Sequence, residues 1–355
     1  MPAGPPLYSP RQANDSTGPK PRIRFRGRTR DLQDEMMQTS ESLGRRPDPS
    51  LRSSSELACG QIKQTLEGRP LGSVIIPAHN EARVILRCLD ALSAGFAPGE
   101  VEVIVVCNGC DDDTAALARS AGHDVGVIEL AAASKSAALR AGDARATTLP
   151  RLYLDADIVL SGTAARAVLK RLAAGSPAAR PPLRYDTSRS SALVRSYFRA
   201  RSRMPAVLGS LWGAGVYGLS SAGRARFDTF PDLGADDLWL DRQFDPAEIE
   251  IVDCAPVTVT APQRGRDLLH TLRRTYRGKD ETGGASWSDR RARLITVRAI
   301  RDLLSQFASG PQSIADALVY AGFAIAGRIR VTLIRIKGAG AAVWERDDSS
   351  REVVA

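Results

Sequence analysis

Several polar clusters along the chain carry residues with the types and spacing to do chemistry. Asp155-Ala156-Asp157 sets two carboxylates on one loop with a small residue between them. Mg²⁺ and Mn²⁺ are hard cations that take one or two carboxylates together with phosphate oxygens, so this spacing suits a metal–diphosphate clamp. Taken alone, such a pair more often just caps the next helix. Gly234-Ala235-Asp236-Asp237-Leu238-Trp239-Leu240 places a second carboxylate pair where a helical pattern begins. Acids at that place suit the helix dipole, and a carboxylate beside a bound hydroxyl can also serve as a general base. Asn108-Gly109-Cys110-Asp111-Asp112-Asp113-Thr114 is a turn feeding a helix, with Asp112 or Asp113 as its cap. Cys107 and Cys110 match C-x-x-C, but the acids that follow disfavour a thiolate, and no second C-x-x-C supplies zinc ligands. His79, His123 and His270 stand alone. Lys135 and Arg140 read as helix-surface cations that the other loops could turn towards phosphate.

These clusters need elements to position them. Ser73-Val74-Ile75-Ile76 is a short apolar strand broken by Pro77, after which Asn80 is expected to cap a helix with Val84, Ile85, Cys88, Leu89 and Leu92 on one face. Apolar strands follow at 103–106, 125–130 and 152–154, with helices at about 112–120 and 135–147. Fully apolar strands alternating with helices predict an α/β fold with a mainly parallel central sheet covered on both faces. Ligands bind such sheets at the carboxyl ends of the strands. The clusters at 78–81, 107–114 and 155–157 each directly follow a strand. Helical periodicity returns at 266–279, 287–307 and 312–336. No G-x-G-x-x-G follows the first strand and no P-loop motif occurs, which disfavours dinucleotide oxidoreductases and P-loop enzymes.

Composition sets the outer bounds. The 355 residues are 43% apolar, enough for one sizeable α/β domain with additions. Residues 1–70 hold nine prolines and no apolar period, so they read as a disordered basic, Pro-rich arm. The net charge is +9, concentrated in residues 1–30 and in 264–301, where eleven basic residues face four acids. Such clustering suits polyanionic partners. Five cysteines without a regular framework argue against a disulfide-stapled secreted protein. No signal peptide opens the chain, and the apolar stretch at 317–329 is shorter than the roughly 20 residues a spanning helix needs. The expected location is cytoplasmic, with possible association at the inner face of a membrane.

Val74-Ile75-Ile76-Pro77-Ala78-His79-Asn80-Glu81 resembles the opening of family 2 glycosyltransferases. The likeness continues through Val105 to Cys110, Asp112, Thr114, Lys135 to Gly142, Asp155-Ala156-Asp157 and Ala235-Asp236-Asp237, covering about 72–262 in order. It implies a GT-A fold, a nucleotide-diphosphate sugar donor, a divalent metal (Mn²⁺ or Mg²⁺) and inversion at the anomeric carbon. It also implies residue roles. Pro77, Ala78, Asn80, Glu81, Asp112 and Lys135 would border the nucleotide, with Asn108 facing its base. Asp155 would lie near ribose and metal, Asp157 would ligate the metal, and Asp237 would be the catalytic base beside Asp236. Asn108 stands where many relatives have Asp, and Asp236 where they have Glu. Q-x-x-R-W is absent, the nearest string being Arg274-Thr275-Tyr276-Arg277-Gly278, which points to transfer of one sugar.

The Arg–aromatic region 184–204 and Trp212-Gly213-Ala214-Gly215 suit the acceptor side, with Trp212, Gly213 and Arg277 as candidates. The expected organisation is an arm at 1–70, a GT-A domain at 71–262, a helical extension at 263–340 and a tail at 341–355. Expected partners are the sugar donor, a glycan or lipid-linked acceptor in cell-surface glycan, polysaccharide or glycolipid synthesis, and an anionic membrane surface, with no nucleic acid. Two other functions stay open: a sugar-nucleotidyltransferase-like enzyme, and a non-catalytic basic binding protein with a degenerate site.

Overall fold

The structure is a computed structural model that describes residues 69–122, 125–282 and 288–336. The run at 22–30, His123, the tail and all but the end of the expected arm lie outside the described residues. The strands are Ser73–Ala78 (β1), Glu102–Asn108 (β2), Val125–Leu130 (β3), Arg151–Leu154 (β4), Ala178–Arg180 (β5), Leu183–Asp186 (β6), Val216–Leu219 (β7), Ile249–Ile251 (β8) and Val257–Thr260 (β9). The helices are Ile85–Ser93 (α1), Thr114–Ser120 (α2), Lys135–Arg145 (α3), Gly162–Ala173 (α4), Ala192–Arg201 (α5), Pro205–Leu208 (α6), Ser221–Arg224 (α7), Asp236–Asp241 (α8), Gly265–Thr282 (α9), Ser288–Ser305 (α10) and Pro311–Ile336 (α11).

Seven strands form one sheet in the order β3-β2-β1-β4-β7-β5-β8, and β6 pairs with β9 separately. β3, β2, β1 and β4 run parallel, whereas β7 runs antiparallel to both β4 and β5. The continuous apolar strands have a direct cause. Side chains alternate across the sheet, so Val74 and Ile76 enter one core while Ile75 enters the other. Val103 and Val105 join the first core, Ile104 and Val106 the second. Helices α1 and α4 cover the first face with Ile85, Leu89, Leu92 and Leu169, and α3 with Phe230, Leu240 and Phe244 covers the second. Gly142 lets α3 lie close, since a Cβ there would sit 2.4 Å from Ile75 Cγ2.

One boundary departs from the sequence reading. Asn80 does not cap α1, which begins at Ile85 behind Val84. Asn80 instead adopts a positive φ of 54°, and its Oδ1 accepts the Asp111 amide at 2.9 Å. A short amide side chain tolerates this conformation and can bridge two loops, so the residue joins β1 to the β2–α2 turn. At α2 the capping oxygen comes from Asp112, whose Oδ1 accepts the Thr114 amide at 3.0 Å.

The long C-terminal helices anchor on α5. Tyr197 stacks on Tyr320 with ring centroids 4.8 Å apart, and Phe323 meets the same ring edge-on. Beside them Asp316, fully buried, accepts from Ser196 Oγ at 2.6 Å, Arg199 Nη2 at 2.7 Å and Arg203 Nη1 at 3.1 Å. Burial alone would raise its carboxyl, but the bonds from Arg199, Ser196 and Gln312 prevail and hold it at about 2. Among the described residues no helix is long and apolar enough to cross a membrane.

Removing the Asp316 charge while keeping its shape should loosen this docking. Asp316→Asn is expected to lose about 1.5–3 kcal/mol in urea unfolding, the range for charged hydrogen bonds. Because the folded pKa is lowered, the stabilisation is complete above the unfolded value of about 3.9 and is lost as pH falls through about 2. The deficit of the variant should therefore shrink over that window.

Candidate active site

The loops that follow β1, β2 and β4 meet at one edge of the sheet. Antiparallel β7 begins at the same edge, because Leu154 pairs with Val216. The segment 212–215 therefore arrives beside Asp155, whose amide donates to the Gly215 carbonyl at 2.8 Å. Gly215 has φ 66°, and a Cβ there would lie 2.4 Å from Ile158 Cγ1, so only glycine fits without displacement.

Lys135 is the centre of the cluster. Its Nζ lies 2.7 Å from Asp155 Oδ1 and 2.9 Å from Asp236 Oδ1. Burial works against its charge, but Asp155, Asp236 and Asp237 outweigh that and hold the ammonium well above the ordinary lysine range. Asp236 is buried, and its second oxygen accepts from Tyr217 Oη at 2.7 Å. Asp237 is half-buried. Its Oδ2 accepts the Gly213 amide at 2.9 Å and its Oδ1 the Leu238 amide at 2.7 Å. Burial, then the neighbouring Asp236 charge, push its carboxyl up to about 6. Asp155 is raised too, by burial and by Asp236 and Asp157, against the pull of Lys135.

The first two loops form one bonded unit. The Glu81 amide donates to Thr114 Oγ1 at 2.8 Å, and the Ala82 amide to Asp112 Oδ2 at 3.1 Å. Pro77, Ala78 and Glu81 are buried beneath it, and Asn80 is half-buried. Asn108, expected to face a base, is fully buried. Its Nδ2 donates to the Ala78 carbonyl at 2.8 Å and its Oδ1 accepts the Ser134 amide at 2.9 Å, so its amide is committed to the fold. Cys107 and Cys110 are both free thiols, and burial pushes Cys107 up to about 12. Arg140 is spent on the Phe230 carbonyl at 2.9 Å.

On the far side, the Arg201 guanidinium lies 4.8 Å from the Trp212 ring centroid and donates to Tyr185 Oη at 2.7 Å. Gly213, with φ 82°, turns its amide onto Asp237. Arg277 falls on α9, with its side chain outside the described residues. Sequence reasoning missed Tyr217 altogether. Strand β7 is four residues long and includes Gly218, too brief a pattern to register as a strand.

The acid loop fits a divalent cation in one respect. The Asp157 charge raises the proton affinity of Asp155 at the edge of the cluster, a repulsion that a cation relieves. Among the described residues no three His, Cys, Asp or Glu side chains form a cage. Mg²⁺ and Mn²⁺ usually take only one or two carboxylates, with phosphate and water completing the shell.

A seven-stranded, mainly parallel sheet with an antiparallel insertion and an acid loop after β4 is the GT-A architecture. Residues 73–209 match the family described as Glycosyl transferase family 2. That match ends before Asp236 and Asp237. A mannosyltransferase, PcManGT from Pyrobaculum calidifontis, solved with GDP-Man and Mn²⁺, is similar at 20% identity and a TM-score of 0.51, over 75% of this chain and 84% of that one. The glucosyl-3-phosphoglycerate synthase of Mycobacterium tuberculosis is similar at 21% identity and a TM-score of 0.40, over 57% and 74%. The first likeness speaks to fold alone, and the second carries no argument. No curated protein matches the chain.

Tyr217→Phe removes the only side-chain donor opposite Lys135 on Asp236 among the described bonds. Leaving a buried carboxylate oxygen unsatisfied should cost about 1–3 kcal/mol in urea unfolding. An unchanged midpoint would mean that the bond does not hold α8 in place.

Proposed function

We propose that this protein moves one glycosyl unit from a nucleotide-diphosphate sugar to an acceptor hydroxyl, with inversion and with Asp237 as the general base. The carboxyl of Asp237, raised to about 6 and aimed by two backbone amides, carries this reading. Asp236 is the poorer candidate, since it is buried and ion-paired to the Lys135 ammonium, whereas Asp237 is half-buried and meets only backbone amides among the described bonds. A base needs an accessible lone pair and a proton affinity near the working pH. Asp237 has both.

The acceptor oxygen attacks the anomeric carbon as the bond to the diphosphate breaks, and its proton passes to Asp237. Lys135 supplies fixed positive charge at the same edge, where it can oppose charge developing on the leaving diphosphate. Asp157 and Asp155 would hold a divalent ion, which when bound neutralises diphosphate charge. The GDP-Man and Mn²⁺ in the similar mannosyltransferase support a donor and an ion of these classes. Asn80, Glu81 and Asp112, with Pro77 and Ala78 beneath them, would border the nucleotide. Trp212, Gly213 and Arg277 would face the acceptor, and residues 71–262 would form the catalytic domain. A glycan or lipid-linked acceptor agrees with the Arg201–Trp212 stack beside the base.

Asp237→Asn should lower kcat by roughly 10²–10⁴-fold, the usual loss for a general base, with donor affinity nearly unchanged. In the wild type, kcat/KM should rise with pH through about 6 as the base loses its proton, and this rise should vanish in the variant. Near-normal turnover in Asp237→Asn would falsify the assignment, and a larger loss in Asp236→Asn would transfer the role. Asp157→Ala should abolish Mn²⁺-dependent binding of nucleoside diphosphate by calorimetry. A screen of nucleotide sugars for slow donor hydrolysis tests the reaction class without any acceptor.

A further inference from the structure

Large apolar side chains left in solvent are concentrated on the last two helices. On α10 and the turn after it, Val297, Ile300, Leu304 and Phe307 are between 42% and 61% exposed. On α11, Leu318, Ile325, Ile329 and Leu333 are between 51% and 59% exposed. Only Leu149, Val159 and Leu193 add to them in the rest of the described chain. The α11 set recurs at helical spacing and so forms one stripe. The opposite face of α11 is the one docked on α5 through Ala317, Tyr320 and Phe323.

Exposed charge on the same two helices has one sign among the described side chains. Arg298, Arg301, Arg328 and Arg330 are all exposed. The first two lie along the groove between α10 and α6, Arg328 lies over the Tyr276 ring, and the last two stand one residue to either side of Ile329 in the α11 stripe. The only acids between 297 and 336 are Asp302 and Asp316. Both are buried, Asp302 accepting the Ala206 amide at 2.7 Å and Asp316 clamped by Arg199 and Arg203. An apolar stripe rimmed by arginines, with its acids turned inward, complements a surface that is apolar below and anionic at its rim. No described helix is long and apolar enough to cross the bilayer, so the contact is in the plane of the interface.

We propose that the exposed faces of α10 and α11 dock the protein on an anionic lipid surface. Arginines near such a surface contribute attraction that decays within a Debye length, while the stripe enters the headgroup boundary. The docking is independent of the transfer reaction, so either reading can fail without the other.

Flotation of the full chain with phosphatidylcholine vesicles, with and without phosphatidylglycerol, tests it. The wild type should float with the anionic vesicles, and Ile325→Gln with Ile329→Gln should weaken that partitioning about tenfold or more. Arg298→Gln with Arg301→Gln should weaken it by about fivefold per arginine, and high salt should do the same. All four positions are exposed, so thermal unfolding of the variants should match the wild type. Retained flotation in the Ile325→Gln, Ile329→Gln variant would overturn the proposal and assign binding to another basic segment. A dimer seen by light scattering and lost in that variant, without flotation of the wild type, would overturn it in favour of self-association.

Discussion

Asp155 follows β4 and Asp236 opens α8, far apart in the chain, yet their carboxylates share one space at the sheet edge, with Asp237 alongside. Two unit charges 4 Å apart repel by about 4 kcal/mol at an effective dielectric of 20, so the arrangement needs a cation between them. Lys135 is that cation, within 2.9 Å of both. Its own place is fixed from below. Ser134 caps α3 by accepting the Ala137 amide, and the Ser134 amide is held by Asn108 Oδ1 at 2.9 Å. Asn108 is held in turn by the Ala78 carbonyl at the end of β1. A chain of bonds therefore runs from the central strand to the ammonium that gathers the acids. The burial of Asn108 has its physical reason here: the amide sets the register between β1, β2 and α3.

Much of this architecture is legible in the chain. Val74-Ile75-Ile76 and its counterparts are apolar at every position because two cores claim alternate residues, and such runs stand out in sequence. Loops that follow them are then placed by topology, which is how Asp155 and Asp157 could be grouped with the loops at 78–81 and 107–114 before any coordinates, whereas Lys135 joined them only through the family resemblance. Local chemistry was harder to read. Asn80 looks like a cap by residue type, and only the three-dimensional neighbour at Asp111 shows why it is bent into the left-handed region. Asn108 looks like a base contact by the family resemblance, but its amide also holds Ser134, a partner from another loop. Tyr217 gave no signal, since its role rests on the antiparallel pairing of β7 with β4. Each case turns on a contact distant in sequence, where spacing holds no information.

The antiparallel insertion also explains how the C-terminal helices bear on the site. Running backwards, β7 brings the segment 212–215 to the edge where parallel strands end, and Gly213 uses that position to bond Asp237. Trp212 is the next residue back, and Arg201 lies over its ring. Arg201 ends α5, the helix whose Ser196 and Arg199 grip Asp316 and whose Tyr197 stacks on Tyr320 of α11. A continuous line of packed and bonded groups thus leads from α11 to the carboxylate with the raised proton affinity. Spatial continuity is not coupling in itself, which requires an element with two arrangements. It does set the Arg201–Trp212 pair next to the residue whose amide bonds Asp237. On the proposed reading, an acceptor reaching Asp237 would pass that pair and a donor diphosphate would lie over Asp155 and Asp157. Lys135, bonded to both Asp155 and Asp236, is the group that ties the proposed donor loop to the helix carrying the proposed base.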